Sequence, residues 1–219
     1  MQQSKTARQI QKAAEALFAE QGFSETTMRQ ITTAAKVNLA AVNYHFGSKQ
    51  GLIESVADKY VAPFVGYLQD AVCTTRYTHQ GTTVATEELL EMLMRALLKV
   101  HQTNGHALAI FSRLLDLSYA PGQDEFREFL TSKYRESLDD FILLLRQDAA
   151  PMHDDEFFWR IHFLLGSMIF TLNNYRVLAG LGGSKDAEDI EVERVLHRMI
   201  PVLTAGFLAR PESTFVSRI

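Results

Sequence analysis

Cysteine, proline and glycine are all scarce in this chain of 219 residues. Its single cysteine, Cys73, excludes an internal disulfide and is typical of a reducing compartment. Five prolines and twelve glycines are too few for the many tight turns of an all-β fold. Hydrophobic residues make up 47% of the chain, which is enough for a sizeable core and too many for a disordered protein. The composition therefore favours a globular helical protein.

Long apolar runs are also missing. The longest, from Phe157 to Leu172, contains Arg160 and His162 and falls short of the ~20 residues that a bilayer-spanning helix needs. The N-terminal segment up to Phe18 is amphipathic and charged throughout, which is unlike a secretion signal. We therefore expect a cytoplasmic protein without membrane association.

Charge is distributed unevenly along the chain. The net charge is −4, but residues 1–50 hold six basic and three acidic residues, which leaves +3 on this segment and −7 on the remainder. A basic segment on an acidic body is the pattern expected when only that segment contacts phosphate groups. The distribution favours nucleic acid as the partner of the first 50 residues.

Apolar residues recur at helical spacing in every segment with clear periodicity, so we predict an all-α fold. The first helix is predicted to end at Gly22, the second to open with a capping box at Thr27, and the third to be capped by Asn38. A long fourth helix follows Gly47-Ser48, and Pro63 is expected to kink it. After a polar connection at 75–85, further helices are predicted over 86–103, 106–119, 123–148, 155–179 and 189–209.

The second and third helices are short, and a three-residue turn, Lys36-Val37-Asn38, joins them. This is the layout of a helix-turn-helix motif. In the second helix of the pair, LAAVNYHF, small alanines fit the major groove and Asn43 can bond an adenine edge. The alternative, an ordinary surface helix, leaves the density of aromatic and amide groups after a tight turn without a reason. The predicted DNA-contacting residues are Thr27, Arg29, Asn38, Leu39, Ala40, Ala41, Asn43, Tyr44, His45 and Lys49.

The stretch from Thr26 to Leu52 resembles the DNA-binding domain of the TetR family of repressors. The residues that match the family pattern are Thr27, Ile31, Tyr44, Phe46 and Lys49. The glycine usual in the turn is replaced by Lys36, a departure that bears on the turn geometry. The resemblance implies a dimeric repressor of double-stranded operator DNA. Residues 1–50 are then a three-helix helix-turn-helix domain, and residues 51–219 are a helical ligand-binding and dimerisation domain.

Three later segments, IFSRLLDLSY, EFFWRIHFLLGSMIF and VLHRMIPVLTAGFLA, resemble the PsrA-type, fatty-acid-responsive members of that family. This resemblance implies a hydrophobic effector, a long-chain fatty acid or acyl-CoA, in a cavity formed by helices four to seven. From the residues alone, an apolar stripe here is equally typical of an ordinary core. The candidate ligand residues are Phe111, Arg113, Leu114, Phe126, Leu130, Phe141, Arg160, His162, Asn173 and Arg176.

The last two predicted helices carry wide apolar faces. Residues 161–172 are apolar nearly all round. The final helix has one wide apolar face, and Pro201 is expected to bend this helix. Such faces favour a homodimer, and the family resemblance implies a four-helix bundle between subunits. The alternative is that the faces meet within one monomer. The candidate interface residues are Phe163, Leu172, Val195, Met199 and Leu203.

Catalytic and metal-binding motifs are missing from the sequence. The segment GLGGSK at 180–185 lacks the spacing of a phosphate loop and follows a helix rather than a strand. The seven histidines form no i, i+4 pair, and neither HExxH nor GxSxG occurs. We therefore expect no metal, no cofactor and no enzymatic activity. Two alternatives stay open: a TetR-type repressor of an efflux or catabolic operon with another hydrophobic inducer, and a helical lipid carrier or enzyme of acyl metabolism that does not bind DNA.

Overall fold

The computed structural model describes residues 4–79, 81–182 and 191–210, and every regular element within them is an α-helix. The helices are α1 (Lys5–Gln21), α2 (Met28–Ala35), α3 (Leu39–Phe46), α4 (Lys49–His79), α5 (Thr86–His101), α6 (Ala107–Tyr119), α7 (Asp124–Asp148), α8 (Asp154–Leu181) and α9 (Val192–Phe207). The predicted all-α fold is confirmed, with the bounds of α5 to α8 agreeing within two residues. Residues 183–190, which include parts of the GLGGSK segment and of the predicted last helix, lie outside the described residues.

The first three helices begin and end where local side-chain chemistry dictates. Ser4 caps α1 by accepting a hydrogen bond from the Ala7 N–H (3.1 Å), and Gly22, with φ +86°, ends the helix. Thr27 and Gln30 form the predicted capping box of α2. The Oδ1 of Asn38 accepts from the Ala41 N–H (2.8 Å) and caps α3, as predicted. These caps satisfy N–H groups that a helix start leaves without partners.

The fourth helix is longer than its sequence indicates. The prediction of a polar connection over 75–85 is wrong for residues 75–79, because α4 continues to His79. Arg76 forms an ion pair with Asp140 of α7 (2.9 Å), and the hydroxyl of Thr78 donates to the carbonyl of Thr75 (3.0 Å). A tertiary contact thus overrides the weak helix propensity of this threonine-rich segment. The helix is continuous through Pro63, and α9 is continuous through Pro201.

Contacts divide the chain into two compact units. Unit 1 comprises the residues up to Gly66 together with Leu97–Glu136, and unit 2 comprises Tyr67–Ala96 and the residues from Ser137 onward. In unit 1, α1 packs against α2, α3 and α6, and the core includes Ile10, Phe18, Ile31, Val42, Leu52 and Phe111. In unit 2, α8 packs against α9, and the core includes Leu89, Leu90, Leu145, Leu172, Leu196 and Ile200. The helices α4 and α7 contribute to both units.

None of the helices in the described part of the chain combines the length and hydropathy that crossing a bilayer requires.

Candidate functional site

The turn between α2 and α3 has the geometry that a helix-turn-helix requires, although a lysine stands in it. Lys36 ends α2 in the left-handed conformation (φ 52°, ψ 44°). Its N–H donates to the carbonyl of Thr33 (3.1 Å), and the Val37 N–H donates to that of Thr32 (3.0 Å). The side-chain amide of Gln9 on α1 donates to the carbonyl of Ala35 (2.7 Å), which ties the turn to the helix beneath it. The predicted three-residue break between α2 and α3 is confirmed.

The third helix presents most of its side chains to solvent. Within α3 only Val42 is fully buried, and it anchors the helix in the core of unit 1. Tyr44 is 85% exposed and Leu39 52% exposed, and Ala40 and Asn43 are exposed beside them. Ala41 and His45 are half-buried, and His45 Nε2 lies 3.4 Å from the hydroxyl of Ser4. The predicted contact residues of α3 therefore share a surface that the chain leaves uncovered.

A close approach of backbone shapes the junction between α3 and α4, where Lys49 lies. A Cβ added to Gly51 would lie 2.1 Å from the carbonyl oxygen of Phe46, so this junction accepts only glycine. The hydroxyl of Ser48 accepts from the Gly51 N–H (3.0 Å) and opens α4. Lys49 is the first residue of α4, and partial burial lowers the pKa of its ammonium group. The positive N-terminal end of α4 and the ammonium group of Lys49 thus lie together just beyond the exposed helix α3.

The six cations of the first 50 residues form no ion pair with any residue that the structure describes. They are Lys5, Arg8, Lys12, Arg29, Lys36 and Lys49. Five of them are exposed, and Lys49 is half-buried. Arg29 and Thr27, both predicted DNA contacts, are exposed at the start of α2. The segment therefore carries positive charge that no described carboxylate of the chain neutralises at contact distance.

Hydrogen bonds within unit 1 join α1 to α4, and α4 to the turn before α6. The buried carboxylate of Glu15 on α1 accepts from Lys59 Nζ at 2.7 Å and from the Tyr60 hydroxyl at 2.9 Å. Asn104 in turn donates to the Tyr60 hydroxyl (3.2 Å). Burial, reinforced by the charge of Glu15, raises the pKa of Tyr60. A clamp of this kind holds α1 and α4 at a fixed spacing.

Five of the predicted ligand residues lie in unit 1. Phe111, Leu114 and Phe126 are fully buried, and Leu130 is half-buried. The guanidinium of Arg113 on α6 donates to the Phe18 carbonyl at the end of α1 (2.8 Å). Arg113 therefore has a bond to the helix-turn-helix scaffold, which sequence inspection missed because its partner lies 95 residues away.

The other five predicted ligand residues lie in unit 2. Phe141 is buried, and Asn173 and Arg176 are exposed. Arg160 is 9% exposed and donates to the carbonyls of Phe207 (2.5 Å) and Ala209 (2.6 Å) and to Glu156 (2.5 Å). The Nδ1 of His162 lies 2.7 Å from the Phe158 carbonyl. Arg160 and His162 thus have intramolecular partners, which accounts for these polar groups within an apolar run.

Unit 2 leaves an apolar face of α8 and α9 uncovered. Trp159, Phe163, Phe170 and Val177 are each more than half exposed and follow one another at helical spacing along α8. Beside them, a groove of about 890 Å³ between α8 and α9 is lined by residues that include the predicted interface residues Val195, Met199 and Leu203. The fifth predicted interface residue, Leu172, lies in the core of unit 2. Trp159 and Phe170 were missed, although their spacing from Phe163 was the available signal.

Comparison with known families matches both parts of the chain. Residues 10–56 match the family described as "Bacterial regulatory proteins, tetR family". Residues 91–206, just over half of the chain, match "Tetracyclin repressor-like, C-terminal domain". The first match contains α2, α3 and the start of α4, which carry the exposed surface and most of the predicted contact residues.

Curated relatives and solved structures agree with these families. The chain is 30% identical over 96 residues to the probable HTH-type transcriptional regulator YttP of Bacillus subtilis, and the matched segment covers 44% of each chain. It is 40% identical over 63 residues to the HTH-type transcriptional repressor NicS of Pseudomonas putida, and the matched segment covers 29% of this chain and 30% of that protein. The matched segments thus span less than half the length of these relatives.

Two solved structures share the fold across nearly the whole chain. One is a TetR-like transcriptional regulator from Rhodococcus sp., with 18% identity and a TM-score of 0.60 over 96% of this chain and 100% of that one. The other is the fatty acid degradation regulator FadR from Bacillus halodurans, with 16% identity and a TM-score of 0.55 over 94% of this chain and 98% of that one. With both family matches and the fold in agreement, the chain belongs to the TetR family of bacterial transcriptional regulators.

Proposed function

We propose that this chain is a homodimeric repressor that binds palindromic operator DNA and is released by a long-chain fatty acid or acyl-CoA. The DNA-binding domain is residues 1–50, and the effector and dimerisation domain is residues 51–219. The observation that carries the proposal is the pairing of an exposed α3 with six basic side chains that form no ion pair in the described chain. A surface built in this way matches the phosphate backbone and the major groove of duplex DNA.

Recognition is divided between base reading and phosphate binding. Asn43, exposed on α3, can bond an adenine edge through both its amide oxygen and its amide nitrogen. Thr27, Tyr44, His45 and Lys49 suit phosphate oxygens, which position the helix without reading sequence. A two-fold dimer then presents two α3 helices to half-sites about one helical turn, roughly 34–36 Å, apart.

Selection of bound sequences from a random DNA pool tests this division directly. The wild type should enrich a palindrome, and Asn43→Ala should lose preference at one base pair per half-site by about 1–3 kcal/mol. The matched control is Gln69→Ala, since Gln69 also carries an exposed side-chain amide but lies on α4 in unit 2. A wild type that enriches no sequence, or an Asn43→Ala variant with an unchanged base preference, contradicts the proposed reading role.

A second copy of the chain is the proposed occupant of the uncovered face of α8 and α9. Large apolar side chains such as Trp159, Phe163 and Val202 are more than half exposed there, and burying them removes apolar surface from water. The Leu203→Glu variant should be monomeric at micromolar concentration, because the interface would bury an unpaired carboxylate. Leu143→Glu is the control, since Leu143 is 48% exposed on α7 and does not line the groove. Analytical ultracentrifugation measures the mass of both variants, and a dimeric Leu203→Glu variant would refute this interface.

The acyl effector is supported by the PsrA-like segments and by the many phenylalanine and leucine side chains of α5 to α8. The fold that the chain shares with FadR of Bacillus halodurans is compatible with this effector class. In the proposed switch, an acyl chain that packs better against a tilted α4 moves Lys49 and α3 away from the groove. A 100-fold preference for the tilted state corresponds to about 2.7 kcal/mol, and each buried methylene contributes about 0.8 kcal/mol.

Chain length provides the test of the effector. Oleoyl-CoA or oleate, titrated into a complex of the protein with a fluorescent operator, should lower the anisotropy at micromolar concentration. Octanoate should have little effect, since fewer methylenes are buried. A response that is equal across chain lengths excludes the acyl effector and leaves the DNA-binding function intact.

A neutral hydrophobic effector is the second candidate, as in a repressor of an efflux or catabolic operon. Arg113, Arg160 and His162, which could anchor an acyl head group, already have bonds within the chain. A neutral ligand needs no such anchor. Release of the operator by uncharged polycyclic compounds, without release by oleate or oleoyl-CoA, would favour this candidate.

A further inference from the structure

Lys36 is held in a backbone conformation that lysine disfavours. Among the described residues it alone combines a positive φ with a side chain larger than a hydrogen, while Gly22, Gly47, Gly81 and Gly122 occupy the other positive-φ positions. The left-handed region brings the Cβ of an L-residue too close to the following carbonyl, and glycine avoids this clash. A glycine at position 36 would therefore make the turn more stable than lysine does.

The hydrogen bonds that hold the turn do not involve the Lys36 side chain. The bonds that hold the turn are the N–H groups of Lys36 and Val37 to Thr33 and Thr32, and the amide of Gln9 to Ala35. Each of them uses backbone atoms of residues 35–37 and would be retained with glycine at position 36. The Lys36 side chain itself is exposed and forms no ion pair in the part of the chain that the structure describes. The Lys36 ammonium is therefore exposed to external anions.

The position of Lys36 beside α3 indicates which anion it can contact. Lys36 precedes α3 by three residues, and Lys49 follows the last residue of α3 by three. The eight residues of α3 span about 12 Å at 1.5 Å per residue, which is comparable with the roughly 12 Å width of the major groove. Cations that flank both ends of a helix lying in the groove lie beside the phosphate backbone that borders it.

We propose that Lys36 is a phosphate-binding residue whose ammonium contacts the DNA backbone at the α2–α3 end of α3, opposite Lys49. The inference rests on the proposed function of unit 1 as a binder of duplex DNA. It adds a contact at a turn position whose left-handed backbone disfavours lysine. The Lys36 contact should strengthen binding to any sequence, because phosphates carry no base information.

The Lys36→Gly variant separates this role from a structural one, because its two effects have opposite signs. Removing the strain should raise the Tm by about 2–4 °C. Each dimer loses two ammonium groups, so binding should weaken about fivefold per subunit, or roughly 25-fold in all, to operator and random duplex alike. The magnitude of the negative slope of log K against log salt concentration should fall by about 0.9 per subunit, or about 1.8 for the dimer. Thermal unfolding and fluorescence anisotropy from 50 to 300 mM salt give both measurements.

Three further variants separate the charge of Lys36 from its backbone conformation and from the overall charge of the protein. Lys36→Asn removes the charge but keeps a residue that tolerates the left-handed region, so it should weaken binding as Lys36→Gly does. Lys36→Arg should bind as the wild type does. Arg135→Gln, which removes an exposed cation from α7, controls for the overall loss of charge and should leave binding unchanged.

Each contrary result has its own meaning. If Lys36→Gly or Lys36→Asn binds operator with the affinity and salt slope of the wild type, Lys36 is not a phosphate ligand and the proposed function stands. If either variant loses affinity for the operator alone, the contact is to a base and the phosphate assignment is wrong. If the wild type binds no duplex DNA at 50 mM salt, the proposed function and this inference fail together.

Discussion

Cations in the first 50 residues and cations in the middle of the chain have different surroundings. From Lys59 to Arg160, seven lysine and arginine side chains form ion pairs with carboxylates of the described chain, and Arg113 bonds a carbonyl. In the first 50 residues none of the six cations does so within the described residues. The three acidic residues of that segment include Glu15, whose partner is Lys59 of α4 rather than a neighbour on α1.

The difference indicates what each set of charges is for. A cation that is bonded to carbonyls and carboxylates inside the fold stabilises the fold, and its removal leaves buried acceptors without partners. An exposed cation without a partner contributes little to folding and stays available to an external anion. Substitutions in the first set should therefore change the free energy of unfolding, and substitutions in the second set should change the affinity for DNA.

The largest effect is expected at Arg160. Its guanidinium joins α8 to the end of α9 through the carbonyls of Phe207 and Ala209 and is paired with Glu156. Arg160→Ala should lower the free energy of unfolding by about 3 kcal/mol, because it leaves these acceptors without a donor in a buried position. Urea unfolding followed by circular dichroism measures the change.

Arg176→Ala is the matched control for Arg160, since Arg176 is exposed on the same helix and forms no ion pair in the described residues. Its unfolding free energy should differ from that of the wild type by less than about 0.5 kcal/mol. Equal losses in the two variants would contradict the assignment of Arg160 as a structural cation.

A smaller effect is expected from Tyr60→Phe. The hydroxyl of Tyr60 donates to the buried Glu15 carboxylate and accepts from Asn104, so its removal should cost about 1.5–2 kcal/mol at pH 7. Burial raises the pKa of Tyr60 above the ordinary value near 10. A raised folded-state pKa means that this contribution is fully present below pH 10 and is lost as the pH rises above it.

The difference in unfolding free energy between wild type and Tyr60→Phe should accordingly shrink above pH 10. Denaturant titrations at pH 7, 9 and 10.5 measure it. Tyr77→Phe is the control, because Tyr77 is 83% exposed on the same helix. A difference that stays constant to pH 10.5 would show that the hydroxyl does not titrate differently in the two states.

The sequence predicted the elements of this fold well, because local chemistry determines where they begin and end. The caps at Thr27 and Asn38 and the break after Ala35 depend on neighbouring residues, and they lie where the pattern predicts. The end of α4 could not be predicted in the same way. It depends on Arg76 reaching Asp140, and sequence spacing does not reveal a pair formed by tertiary packing.

The same limit applies to the candidate site. Helical periodicity places Val42 inward and Ala40, Asn43 and Tyr44 outward, but it does not account for Leu39, which is 52% exposed although it is in register with Val42. The roles of Arg113 and Arg160 do not follow from periodicity, because a lone arginine in an apolar run is compatible with a ligand anchor and with an internal bond. Their partners lie 95 and 47 residues along the chain, and only the fold brings them together.

Lys49→Gln should leave folding unchanged and weaken DNA binding. Each phosphate contact that is lost corresponds to about 1 kcal/mol, or roughly fivefold in affinity, and reduces the magnitude of the negative salt slope by about 0.9. Both effects double because the dimer loses two contacts. Since the contact is to the backbone, operator and random duplex should be affected alike. Anisotropy titrations at several salt concentrations test this, and a loss confined to the operator would assign Lys49 to base recognition instead.

The smallest effect is expected at Arg95, a cation that is paired and yet exposed. Its guanidinium lies 2.9 Å from Glu91, one helical turn earlier on α5, and the two side chains are 74% and 41% exposed. Exposed i, i+4 pairs with the acid nearer the N-terminus contribute about 0.3–0.5 kcal/mol, and salt screens them. A double-mutant cycle of Arg95→Gln and Glu91→Gln should therefore give a coupling of that size at low salt and almost none at 1 M, with operator affinity unchanged throughout. A coupling above about 1 kcal/mol would mean that exposed ion pairs in this chain are as strong as buried ones. Burial would then no longer explain why Arg160 stabilises the fold.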